Sequence, residues 1–269
     1  MRRLFLTFLM GLSIGLVSVP APMAAEDARA AIEAAAASAQ RSPRNVARDL
    51  YRHPVETLAF FGVAPNQTLV EIWPGGGWYA EILAPLLREQ GHYIAAVQGS
   101  GRAREATLAL LASDAQRFDK AVVTTLDVGK PSEIAPPGSA DIVLTFRNVH
   151  NFLMAGDKPA AQLFADAYRA LKPGGILGVV DHALPEEAEA GLEAQSGYLK
   201  RSTIIRLATA AGFVLDGEST INANPRDDHR HPKGVWTLPP NYALGDTDHA
   251  KYEVIGESDR LTLRFVKPR

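Results

Sequence analysis

Val70-Glu71-Ile72-Trp73-Pro74-Gly75-Gly76-Gly77-Trp78-Tyr79 joins the end of an apolar run to an acidic residue, three successive glycines and the start of an amphipathic segment. The run from Thr68 to Trp73 reads as a strand buried on both faces, and the glycines as the turn that leads into a helix. Without Cβ atoms the chain can turn tightly there and lie against a ligand. The free N–H groups at the start of the following helix add a polar edge to the same turn. In an alternating α/β pattern, a glycine turn after the first strand is where nucleotide-like cofactors dock.

That alternation continues downstream. Apolar runs at 93–97, 120–126, 141–146 and 176–181 predict further strands, with helices over 78–89, 102–116 and 158–171 between them. Leu163, Phe164, Ala167, Tyr168 and Leu171 repeat at helical spacing and form a packing stripe. Lys172-Pro173-Gly174-Gly175 ends that helix, a helix over 202–211 stops at Gly212, and 213–217 and 261–266 are the final strands. Between those last strands, 219–259 is a polar span holding Pro225, Pro232, Pro239 and Pro240 with His229, His231 and His249, too long for an ordinary connection. Towards the start, 26–40 is alanine-rich and helical, expected as a peripheral arm. A second helix is predicted from Ser42 and Pro43 through Tyr51, with the basic residues Arg44, Arg48 and Arg52 in and just beyond it.

The chain has 269 residues, is 46% hydrophobic and carries a net charge of −2, which suits one domain with a substantial core and gives no basic field for nucleic acid. Arg2 and Arg3, the apolar run Leu4 to Val19 and the small residues Ala24 and Ala25 read as a secretory signal over 1–25. Its removal takes two positive charges and leaves −4, with no membrane span expected in the mature chain and a periplasmic location. The absence of cysteine excludes disulfides, thiolate metal sites and cysteine nucleophiles. The domain organisation is then a signal at 1–25, a helical arm at 26–66, and one α/β domain at 67–269 with an insertion at about 219–259.

In order along the chain these landmarks resemble the class I S-adenosylmethionine-dependent methyltransferases, and within them an exported bacterial group with a Pro-Gly-Gly-Gly-Trp-Tyr motif, over about residues 45–268. Glu71, Gly75 and Gly77 match the acidic and glycine positions of the family's first motif, Asp127 follows the third strand, and Leu171-Lys172-Pro173-Gly174-Gly175 precedes the fifth. The resemblance implies a Rossmann-like, mostly parallel sheet with its last strand antiparallel and helices on both faces. It implies S-adenosylmethionine as cofactor, a small-molecule substrate, and Glu71, Gly75, Gly76, Gly77, Tyr79, Gln98, Asp127 and Asn148 as the cofactor's contacts. The chain departs from the pattern at Trp73, where the family has glycine, and at Gln98, where an acidic residue holds the ribose hydroxyls. A dinucleotide-dependent reductase is the rival for such a turn. Ala80 is a tolerated substitute for its third glycine, but its distal acidic residue is missing.

Two polar clusters fall where ligands meet an open sheet, beyond the carboxyl ends of the strands. After the fourth strand comes Arg147-Asn148-Val149-His150-Asn151, and after the fifth Asp181-His182. His150 is the expected general base, because imidazole titrates near neutrality. Asn148 is read as a holder of cofactor or acceptor, and Asp181 as orienting the third catalytic candidate, His182. Arg147 could clamp an acidic acceptor, but is expected at the surface. Asp227-Asp228-His229-Arg230-His231 has metal-ligand types but is read as a solvated loop, so no metal site is expected. The sequence supports a methyltransferase acting on a small molecule in the cell envelope; the alternative is a non-catalytic periplasmic binding protein on the same scaffold.

Overall fold

A computed structural model describes residues 25–269. The proposed export signal lies outside the described residues except for Ala25. No helix among the described residues is long and apolar enough to cross a membrane.

The strands are β1 (Thr68–Ile72), β2 (His92–Val97), β3 (Val122–Thr125), β4 (Ala140–Phe146), β5 (Leu171–Leu184), β6 (Leu199–Lys200), β7 (Val214–Ser219) and β8 (Arg260–Val266). They form one sheet in the order β3-β2-β1-β4-β5-β8-β7, with the two-residue β6 beside β5. Pairs from β3 through β5 are parallel, and β8 runs antiparallel to both β5 and β7. This is the expected Rossmann-like arrangement.

Alternation along the strands divides the core. Val70, Ile72 and Val143 point to one face, under the helices Asp157–Ala170 and Arg201–Ala210. Leu69, Ile142 and Leu144 point to the other, under Pro54–Phe61 and Ala80–Leu87. Each fully buried Leu, Ile or Phe contributes about 1.5–3 kcal/mol of transfer free energy, so both helical layers are held by many such increments.

Four expectations need correction. The segment read as a peripheral arm is part of the core: in the helix Ala25–Ala36, Ile32 is fully buried against Leu58 and Leu83. Its lone large apolar side chain among alanines gave too weak a periodic signal. The helix predicted through Tyr51 is two short helices, Pro43–Val46 and Asp49–Arg52, tied down by a bidentate Arg41–Asp49 pair at 2.6 and 2.8 Å. The helix predicted over 102–116 breaks at Asp114, whose carboxylate caps the next short helix through the N–H groups of Gln116 and Arg117. The long polar span is ordered. It carries a 3₁₀ turn (Gly234–Thr237) and a helix (His249–Ile255), and Asn222 donates to Thr57 and Thr262 in the body of the domain.

Candidate active site

A cavity of about 560 Å³ opens beyond the carboxyl ends of β1, β4 and β5. The turn after β1 supplies its floor through Glu71, Gly75, Gly76 and Tyr79. The β4 and β5 ends supply Arg147, Asn148, His150 and His182. The short N-terminal helices bring Arg44, Arg48 and Arg52, and the long span closes the far side with Trp236, Pro239, Asn241, Glu257 and Ser258. Seven of the expected residues, Glu71, Gly75, Gly76, Tyr79, Asn148, His150 and His182, therefore share one space.

Both strand ends that frame it carry a non-glycine residue in the left-handed region, Trp73 at φ 45° and Arg147 at φ 60°. Such conformations cost about 1–3 kcal/mol and persist where surrounding contacts impose them. The contacts are visible. Asn148 Nδ2 donates to the carbonyl of Ile72 at 2.8 Å and to that of Trp73 at 3.4 Å, locking the two turns together. The Arg147 N–H donates to Val180 at 2.7 Å. Asn148 was expected to hold a ligand; its donor is instead spent on the backbone of the turn.

His150 is buried, and its Nδ1 lies 2.8 Å from Asp181 Oδ1. Asp181, with no exposed surface, also accepts the backbone N–H groups of His150 at 3.3 Å and His182 at 2.8 Å. With Nδ1–H given to the carboxylate, the hydrogen-bond network assigns the free Nε2 as the basic atom. Asp181 thus orients His150, whereas its expected partner His182 pairs through Nδ1 with the Ser258 hydroxyl. Burial, and then the charges of His150, Arg147, Arg260 and Arg52, push the His182 pKa well down, so that imidazole is neutral. The Tyr79 ring stacks on Phe146 at 3.5 Å. Burial raises the Glu71 carboxyl to about 8, against a hydrogen bond from Tyr93 at 2.7 Å that opposes the shift.

Arg147 lines the cavity rather than the outer surface. The buried Glu257 carboxylate meets Arg48 Nε at 2.5 Å, Arg52 Nε at 3.2 Å and Arg260 Nη1 at 3.3 Å. Burial works against its charge, but Arg52, Arg260, Arg48 and Arg147 together hold its pKa at about 2. Burial presses the arginines down in turn, Arg52 to about 9 and Arg147 and Arg260 to about 10, and all remain cations at neutral pH. Sequence reasoning missed Glu257 and Ser258. It noted Arg44, Arg48 and Arg52 without placing them in a site, although their four-residue spacing was a usable sign of one shared face.

Gly77, Gln98 and Asp127 do not line the cavity. A Cβ at Gly77 would fall 1.8 Å from Leu110 Cδ2, so this glycine admits the helix Arg102–Ser113 rather than a ligand. Asp127 accepts the N–H of Gly99 at 2.9 Å, and the Gln98 carbonyl accepts from Arg104 at 3.0 Å. Trp73 reaches to the same place: its Nε1 donates to Leu126 at 3.0 Å and its ring lies 4.5 Å from Phe152. The Asp127 carboxylate and the Gln98 carbonyl are thus engaged by neighbouring residues of the protein, Gly99 and Arg104.

Two groups of potential metal-ligand atoms occur among the described residues, His150–Asp181–His182 and Asp227–Asp228–His231. In the first, Asp181 and Ser258 already engage both Nδ1 atoms, and the surrounding arginines disfavour a divalent cation. The second belongs to a segment expected to be solvated, but Asp227 is buried and accepts from Tyr198 at 2.8 Å, from the Asp259 N–H at 2.8 Å and from the His231 ring at 2.8 Å. It fastens the long span to the domain.

No family model matches the chain, and no curated protein matches it. Solved structures do. An S-adenosylmethionine-dependent methyltransferase from Aquifex aeolicus superposes with a TM-score of 0.56 at 13% identity, over 89% of this chain and 98% of that one. The 4+2 cyclase SpnF gives 0.55 at 16%, over 86% and 84%. The O-methyltransferase NcsB1 from neocarzinostatin biosynthesis, in complex with S-adenosylmethionine and 2-hydroxy-5-methyl naphthoic acid, gives 0.52 at 13%, over 83% and 55%. At these identities the likeness is one of fold: the chain has the Rossmann-like methyltransferase fold, on which one of these neighbours carries a cyclase.

Proposed function

We propose that this protein is an S-adenosylmethionine-dependent methyltransferase acting on a small molecule in the cell envelope. The observation that carries the reading is a single cavity joining the bare Gly75–Gly76 turn to the His150–Asp181 pair. A Cβ at Gly76 would meet nothing within 4 Å, and one at Gly75 only the Trp73 carbonyl at 3.9 Å, so the turn faces free space. These residues, with Glu71, fit the amino-acid and sulfonium end of the cofactor. The chain departs from the family's pattern at Trp73, whose indole packs on Phe152, and at Gln98, whose carbonyl accepts from Arg104.

Bound there, the cofactor supplies an electrophilic methyl group. The chain's task is then to align an acceptor, exclude water and take a proton. His150 Nε2 receives the acceptor's proton, and Asp181 holds the ring and stabilises the imidazolium that results. Trp236, 6.1 Å from the His150 ring, and the stacked Tyr79–Phe146 pair supply apolar wall. The envelope assignment rests on the charged and apolar start of the chain.

Calorimetry of the protein with S-adenosylmethionine and S-adenosylhomocysteine tests the reading, with saturable heat expected for both. Absence of heat at millimolar ligand overturns it. It would favour the second reading, a non-catalytic binding protein, which the departures at Trp73 and Gln98 support.

A further inference from the structure

We propose that Arg147 and Arg52, with Arg48 beside them and Arg44 at the rim, form a receptor for an oxyanion, the carboxylate or phosphate group of the molecule this protein acts on. The word substrate rests on the methyltransferase reading; the receptor does not.

Charge and valence both point to an anion. Arg48, Arg52, Arg147 and Arg260 gather around one carboxylate, Glu257. A second carboxylate that acts on Arg147, Asp181, is already engaged by His150 and by two backbone N–H groups. Glu71 adds little negative charge at neutral pH because burial keeps it largely protonated. The cluster therefore holds at least two cations more than its own acceptors offset. A charge out of water without a partner is unfavourable, and paired guanidinium–oxyanion bonds are among the strongest available to a protein.

The donors are also unspent. The Arg52 side chain is 3% exposed, yet its Nη2 has no hydrogen-bond partner, and neither does Arg48 Nη2. Among the described residues the Arg147 guanidinium has no hydrogen-bond acceptor and no ion-pair partner, although it lines the cavity. Arginine's planar fork suits two-oxygen groups such as carboxylate and phosphate. Because Arg147 stands three residues before His150 on the same wall, an anion held there leaves the rest of a small molecule beside the basic Nε2. An anion would also offset the positive field that a sulfonium donor, itself a net cation, meets on entering.

The rival occupant is the cofactor's own carboxylate, and the test separates the two. Thermal shift and calorimetry on the full chain would use inorganic phosphate, benzoate, chloride at matched ionic strength, S-adenosylhomocysteine, and adenosine. Phosphate or benzoate is expected to stabilise saturably beyond chloride. The R147Q variant is expected to weaken that binding about tenfold or more while leaving S-adenosylhomocysteine affinity within about twofold, and R147K to recover part of the loss. The exposed-rim variant R44Q, which disturbs no buried contact, should weaken oxyanion binding a few-fold if R147Q fails to fold. No saturable effect of either oxyanion over chloride overturns the proposal. So does an R147Q protein that loses S-adenosylhomocysteine and keeps the oxyanion. Oxyanion binding with no cofactor binding sustains the receptor and removes the methyl-transfer reading.

Discussion

Trp73 and Arg147 end β1 and β4 in a backbone conformation that glycine adopts freely and a large side chain does not. At Trp73 the indole offsets that cost by bonding Leu126 and packing on Phe152. Replacing it with glycine relieves the strain but removes both contacts, so the variant is expected to be less stable, while the space beside Leu126 and Phe152 opens. W73G is expected to bind S-adenosylhomocysteine about tenfold more tightly than the parent, equivalent to about 1.4 kcal/mol, by calorimetry. Unchanged affinity would mean the indole does not limit the site. At His150 the expectation is chemical. H150Q is expected to lower methyl transfer by about 10²–10⁴, the usual contribution of a positioned base. D181N is expected to lower it too, because an amide can turn an N–H towards Nδ1 and reverse the tautomer. Radiolabelled transfer from the cofactor to a panel of small anionic acceptors measures both, and full activity in H150Q would remove this base. His150 stood out in the sequence by its chemistry and its place after a strand. Its partner did not, since Asp181 lies 31 residues away and its neighbour His182 looked the more natural mate.

The strands and the glycine turn were legible because each signal is local. Continuous apolar runs of strand length are buried on both faces, and the stripe Leu163, Phe164, Ala167 packs as its spacing implies. The N-terminal helices and the long span were not legible, because what orders them lies far along the chain. Arg48 and Glu257 are 209 residues apart, and Tyr198 finds Asp227 across 29. Close approach does the rest: a Cβ on Gly234 would lie 2.0 Å from the Ser196 carbonyl oxygen, a backbone atom that cannot swing aside, and φ there is 55°. G234A is therefore expected to cost about 2–4 kcal/mol. Hydrogen exchange should locate the damage in residues 229–242, with β1 and β4 still protected. Uniform protection with an unchanged melting temperature would show that this seam does not hold the span.

For the whole molecule, buried charge sets the pH response, and two carboxyls pull in opposite directions. Glu257 is held at about 2 against an ordinary 4.5, so its contribution is present above 4.5 and is lost as the pH falls through 2. Glu71 is raised to about 8 from 4.5, so the folded state binds more protons than the unfolded one between these values, and stability declines as pH rises across them. E71Q keeps the shape without the titration. It should raise the melting temperature near pH 9 by about 2–4 °C for each kcal/mol recovered, and change it little near pH 5. An equal shift at both values would assign the effect to packing instead. The succession of strands and helices along the chain, the two-faced core and the polar rim follow from hydropathy and from glycine and proline placement, because those act over a few residues. Which arginines leave water, which carboxylate meets them and which histidine becomes a base depend on neighbours that meet only when the sheet closes, since the energy of a charge is set by everything within a few ångströms and not by its position in the chain.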